Sequence, residues 1–223
     1  MSNTYCVLAS TAGYDARVAR SIRRLGRPAV RFDGHPAMTS VDDLWFLGDE
    51  AAQQAEQTYH RLRSEHGDVE EFETTKRVRR QRFRTVAERI RDNGAPYGAH
   101  TLAYRPDGRL LLVRHEGVDL WVLPGGETEP AETFRSAAER ELMEEAGVEA
   151  EFEGLDLLGR VTFHSDGNST WGVLPVFAAR AEPVEPEVLD PDDEISAADW
   201  FGELPPDTRD RPVLASWLED RLG

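Results

Sequence analysis

From Asp49 onward the apolar residues Ala51, Ala55, Tyr59 and Leu62 recur at helical spacing, until Gly67 and Asp68 break the pattern. A second helical stretch carries Phe83, Val86, Ala87 and Ile90 and ends at Gly94. The two together predict a helical hairpin. At "GAPYG", residues 94–98, the period shortens. "AHTLAY" and "LLLVRH" then read as two strands joined by the turn "RPDG". "LLGRVTF" and "TWGVLPVFAARA" read as further strands with "SDGNS" between them, "AADWF" as a last strand, and residues 213–222 as a short terminal helix.

Between these strands lies "GGETEPAETFRSAAERELMEEAGV", residues 125–148. Pro130 suits a first helical turn and Gly147 the position just past the end, so a helix is expected from about Pro130 to Ala146. Ala131, Phe134, Ala138, Leu142 and Ala146 would form its apolar stripe. Strands on either side of one central helix predict an α+β fold, a layered α/β/α sandwich with a mixed sheet, preceded by a helical N-terminal extension. The expected division is residues 1–37, a weakly ordered or non-native segment; 38–95, the helical hairpin extension; and 96–223, the α+β domain itself.

Charge sharpens that division. The chain of 223 residues holds 42 acids against 26 basic residues, a net charge of -16, and Lys76 is its one lysine. Residues 1–37 run the other way, with two acids and six arginines. Met38 is therefore an expected alternative start. So many carboxylates fit a salt-rich cytosol, where screening tolerates charge density. They also argue against a general nucleic-acid binder, whose phosphate partner would be repelled. The one basic run, "KRVRRQRFR" at residues 76–84, reads as a solvated or acid-docking helix face because Glu88 and Asp92 follow. Cys6 is the single cysteine, so no internal disulfide forms, and the apolar run "YCVLA" is too short for a signal peptide or a span. A cytoplasmic protein without a membrane partner is expected.

Glu141, Glu144 and Glu145 fall within one arc of about 100° on the central helix. Like charges at i,i+4 repel, so something positive is expected beside them. Magnesium suits carboxylate oxygens, and manganese can replace it; an exposed Glu-rich helix supported by pairs such as Arg140 with Glu144 is the alternative. Gly125 and Gly126, in "LPGGE", let the backbone turn sharply and approach a ligand.

The stretch resembles the Nudix box. Gly126, Glu132, Arg140, Glu141, Leu142, Glu144, Glu145, Gly147 and Val148 occupy its specified positions. The resemblance extends more loosely from about Tyr97 to the C-terminus. It implies a Nudix fold and cleavage of a nucleoside diphosphate linked to another group, with magnesium held by Glu141, Glu144 and Glu145. By the same analogy Arg140 orients the glutamates, Glu132 is its partner, and Gly125 and Gly126 offer backbone contact to metal or substrate. The general base is either Glu141 or an acid on a later loop, for which Glu194 is the candidate. Trp121 is a candidate for stacking on a base, with a core role as the alternative; Trp171 and Trp200 are expected in the core and His164 on the surface. The nucleotide substrate stays open among ADP-ribose, nucleotide sugars and oxidised nucleoside triphosphates. The rival readings are a Nudix-domain ligand sensor whose helical extension binds nucleic acid, and an isomerase of the same fold, which would want a cysteine in the core domain. A homodimer is compatible with all of them.

Overall fold

Small and branched apolar residues three or four apart give the first helix, α1 (Asp42–His66), a buried stripe of Leu44, Leu47, Ala51, Ala55 and Leu62. The computed structural model describes residues 42–189 and 193–222, so the expected segment 1–37 and the alternative start at Met38 lie outside the described residues. Helix α1 begins ahead of Asp49, because Leu44 and Leu47 extend the stripe toward the N-terminus.

The chain does not turn straight back into a second helix, as the hairpin reading expected. Strand β1 (Glu70–Arg77) comes first, and α2 (Arg80–Asn93) follows it. Alternation explains the strand: Phe72, Thr74 and Lys76 are half-buried while Glu71, Glu73, Thr75 and Arg77 are exposed. Its inward side chains are too polar for apolar periodicity to reveal it. The charged outward ones suit an edge strand, since they discourage pairing with another chain. The two helices still pack on each other. Thr58 of α1 donates its hydroxyl to the Asn93 carbonyl at 3.2 Å. Gly94, at φ 91°, caps α2 where a Cβ would lie 2.3 Å from that hydroxyl, so the approach requires glycine.

Seven further strands complete one sheet: β2 (Ala99–Tyr104), β3 (Leu110–His115), β4 (Leu120–Val122), β5 (Gly125–Gly126), β6 (Ala150–Ser165), β7 (Asn168–Ala181) and β8 (Ile195–Phe201). The order is β1-β6-β7-β2-β3-β4, with β5 also on β2 and β8 on β3. β1 with β6 and β2 with β7 are parallel, and the remaining pairs are antiparallel, so the sheet is mixed. Alternation along β2 sends Thr101 and Ala103 toward helix α3 (Phe134–Ala146), where the Thr101 hydroxyl donates to the Ala138 carbonyl at 3.2 Å. His100, Leu102 and Tyr104 point the other way, and Tyr104 meets Trp217 of α4 (Arg211–Leu222), ring centroids 5.6 Å apart. Helices therefore cover both faces, the expected α/β/α layering.

Phe83 and Ile90 of α2 are fully buried in the same apolar cluster as Leu102, Val173 and Trp217. Their side chains belong to the core that supports the sheet.

Candidate active site

Helix α3 starts four residues later than the expected Pro130. Thr133 caps it, its hydroxyl accepting from the Ser136 N–H at 3.1 Å, and Gly147 at φ 61° ends it. Ala131 is exposed at φ 70° and takes no part in the apolar stripe, whereas Phe134, Ala138, Leu142 and Ala146 are buried as expected. The reason lies in Glu132, which stays outside the helix so that its carboxylate can accept from the Glu129 N–H at 2.8 Å and from Arg140.

Arg140 organises the cluster. Its Nε and Nη2 donate to the two oxygens of Glu132, both at 3.1 Å, in a bidentate pair. Nη2 also donates to the Glu127 carbonyl at 2.9 Å. Nη1 donates to Oε1 of Glu141 and Oε2 of Glu144, each at 2.9 Å. The Glu132 bonds, followed by those of Glu141 and Glu144, raise the guanidinium pKa further, so its charge is permanent. Arg140 in turn holds the Glu132 carboxyl below the usual glutamate value. Glu141 moves the opposite way. Burial pushes its carboxyl up against the pull of Arg140, and Glu144 and Glu132 add to the rise.

The glycine turn completes the arrangement. The N–H of Gly125 donates to Oε2 of Glu145 at 2.8 Å, tying β5 to the last turn of α3. Gly126 lies so close to Glu141 that a Cβ there would stand 2.4 Å from Oε1. Glu141, Glu144, Glu145, Arg140, Glu132, Gly125 and Gly126 thus share one network at the mouth of the β5–α3 loop. Glu194 lies just before β8, where its carbonyl accepts from the Glu116 N–H at 2.9 Å and its carboxylate stands 3.8 Å from His115 Nε2. The Trp121 ring is half-buried against Phe201, centroids 4.8 Å apart. Trp171 and Trp200 are buried and His164 is exposed, as expected.

Among the described residues no three acid, histidine or cysteine side chains form a closed metal-ligand set. The donors nevertheless fit magnesium. They are hard carboxylate oxygens, two of them already converge on one positively charged nitrogen, and Glu141 is half-buried at a cost that a cation would relieve.

Two contacts escaped the sequence reading. Arg89 of α2 pairs with Glu127, and Asn93 Nδ2 donates to Thr128 Oγ1 at 2.9 Å, so the helix before "GAPYG" holds the loop that carries Glu127. Neither residue belongs to a motif, and only their positions on one face of the α2 pattern could have drawn notice.

The NUDIX domain family model matches residues 95–217. The chain belongs to the Nudix family. Its Nudix region resembles a putative 8-oxo-dGTP diphosphatase of Bacillus subtilis (strain 168), with 32% identity over 89 residues, 40% of this chain and 60% of that protein. Among solved structures it is similar to a MutT NUDIX hydrolase from Burkholderia pseudomallei, at 30% identity over 55% of this chain and 95% of the other, TM-score 0.40. It is also similar to an ADP-ribose pyrophosphatase from Streptococcus suis 89-1591, at 20% identity over 56% and 90% of the respective chains, TM-score 0.41. Helices α1 and α2 and strand β1 lie outside the Nudix match, although Arg89 and Asn93 reach its central loop.

Proposed function

We propose that this Nudix protein is a magnesium-dependent hydrolase that cleaves the diphosphate linkage of a nucleoside diphosphate joined to another group, working in a salt-rich cytoplasm. The observation that carries the reading is the carboxylate cluster held by Arg140 against the Gly125-Gly126 turn. Glu141, Glu144 and Glu145 would hold the metal. When bound, magnesium supplies neutralisation of the diphosphate charge and a lowered pKa for attacking water. Arg140 fixes the directions of Glu141 and Glu144, and Glu132 fixes Arg140 through two bonds, so the donors are aimed before substrate arrives. Glu145 sets the turn by accepting from Gly125. Water attacks one phosphorus in line, the anhydride oxygen leaves with the other phosphate, and a carboxylate takes the proton from the water. Glu141, set against the glycine turn, and Glu194, just before β8, are the two candidates for that base.

ADP-ribose, nucleotide sugars and oxidised nucleoside triphosphates fit this chemistry, and the name of the Bacillus subtilis relative favours the last. The test is a substrate panel with magnesium, read as phosphate or nucleotide release, on wild type and on Glu144→Gln and Glu145→Gln. Each variant should stay folded and lose more than the roughly 10- to 100-fold that follows loss of a group merely supporting a ligand. Unchanged turnover in either variant, or turnover that persists in excess chelator, overturns the metal mechanism.

A further inference from the structure

Residues 182–189 form no helix or strand, yet they run as a strap along the end of α3. The last carbonyls of a helix have no partner within it. Here the strap supplies two: the Glu187 N–H donates to the Ala146 carbonyl at 2.8 Å and the Leu189 N–H to the Glu144 carbonyl at 3.1 Å. A Cβ on Gly147 would lie 2.7 Å from the Glu187 carbonyl oxygen, so the strap passes close over the helix end. Val188, between the two bonds, packs against the cluster that holds Leu142, Ala146 and Trp200. Farther back along the strap, the Val184 carbonyl accepts from two side chains, Trp200 Nε1 at 2.9 Å and Arg105 Nη2.

We propose that Arg105 is a positioning residue for the active site, acting through this strap on the carboxylates of Glu144 and Glu145 that would hold the metal. The inference rests on the magnesium reading above. Arg105 stands just past β2, is only 5% exposed, and has no carboxylate partner among the described residues. A cation withdrawn from water without a counter-charge costs stability unless its surroundings compensate. Around this one are the Trp200 ring, its centroid 4.1 Å from the guanidinium carbon, and the Val184 carbonyl, while Nε is buried without a partner. Stability alone does not call for such a group, because an apolar side chain of similar volume would fill the space without that cost. What the guanidinium adds is direction: together with the indole N–H of Trp200 it fixes a carbonyl of the strap just ahead of Glu187 and Leu189. From there the strap holds the main chain of Glu144 directly and brackets that of Glu145 between its two bonds. Helix ends fray when nothing holds them. The carboxylates at this end are the ones that Arg140 and the Gly125 N–H aim, so a loose last turn would spoil both contacts.

Hydrogen exchange of the Glu187 and Leu189 amides, read by NMR on the full chain without metal, tests the strap apart from turnover. Arg105→Met keeps the apolar stem and removes the donors; both amides should then exchange about tenfold faster, while the amides of β2 stay protected. Magnesium affinity, measured by calorimetry, should fall about tenfold, and kcat at fixed magnesium should fall by a similar factor with KM little changed, the pattern of a lost orienting group. Trp200→Phe, which removes the second donor and keeps an aromatic ring, should move the same readouts in the same direction. Thermal melts check the fold of both, and Trp200→Phe decides the matter if Arg105→Met does not fold. Unchanged exchange in the folded variants, or faster exchange with wild-type magnesium affinity, overturns the proposal. A wild type that binds no magnesium overturns the reading beneath it as well. A wild type that binds magnesium and hydrolyses nucleotides, alongside variants that match it, overturns this inference alone.

Discussion

At the scale of single residues the site depends on two contacts, one that lacks an atom and one that shares a charge. Gly126 is needed for what it omits, since a Cβ would meet Glu141 Oε1 at 2.4 Å. Gly126→Ala should therefore displace the carboxylate and lower turnover by about 100-fold, the cost of misplacing a reacting group by about an ångström. Circular dichroism should show the fold retained; wild-type turnover in this variant would mean that the position of Glu141 is immaterial. Glu132 supports a prediction about acid. Arg140 holds its carboxyl below the ordinary value of 4.5, so the ionised form favours the folded state. That contribution is complete above the ordinary value and is lost as pH falls through the depressed one. The difference in melting temperature between wild type and Glu132→Gln should accordingly be largest near neutrality and shrink as pH drops below about 4.5. A difference constant from about pH 3 to 7 would show that the pair contributes no linked protonation.

At the scale of elements, α2 is the unexpected participant. It precedes the Nudix match, yet Arg89 and Asn93 hold Glu127 and Thr128, and the Glu127 carbonyl in turn accepts from Arg140. Arg89→Met together with Asn93→Ala should lower kcat roughly tenfold with little change in KM, as expected when the support of an orienting group is removed. A rise confined to KM would instead place α2 in substrate binding. The same helix anchors the fold through Phe83, fully buried in the main cluster. Phe83→Ala should cost about 3–5 kcal/mol in chemical denaturation. Strand β1 carries a related lesson: its half-buried face is Phe72, Thr74 and Lys76, so the one lysine of the chain lines a cavity on that face.

At the scale of the whole molecule, charge sets the conditions of stability. Residues 97–223 hold 28 of the acids and 10 of the basic residues. Their repulsion acts over a Debye length of about 30 Å at 0.01 M salt and about 3 Å at 1 M. Melting temperature should rise with potassium chloride. Magnesium should raise it most at low salt, because the carboxylates it would join are then least screened and binding favours the folded state. Melting curves across potassium chloride, with and without magnesium, check both trends; a flat salt response removes the salt-adapted reading and leaves the catalytic one in place. No helix among the described residues is long and apolar enough to cross a membrane.

The sequence by itself determined whatever depends on neighbours along the chain. Short apolar runs placed β2 and β3, the "RPDG" turn joined them, and the spacing of Glu141, Glu144 and Glu145 along one helix marked the candidate site, because strand and helix periods act within a few residues. Only the tertiary structure decided what depends on residues far apart. Glu132 left the helix to hold Arg140 eight positions on, and α2 reached the loop at Glu127 and Thr128 across thirty-five or more positions. Strand β1, polar by composition, found its place by pairing with β6, where main-chain hydrogen bonds need no apolar signature. A cavity on the sheet face opposite α3 gathers Lys76, His100 and Arg209 from three distant stretches, so their proximity has no pattern in the sequence and comes from how the strands and the loop before α4 come together.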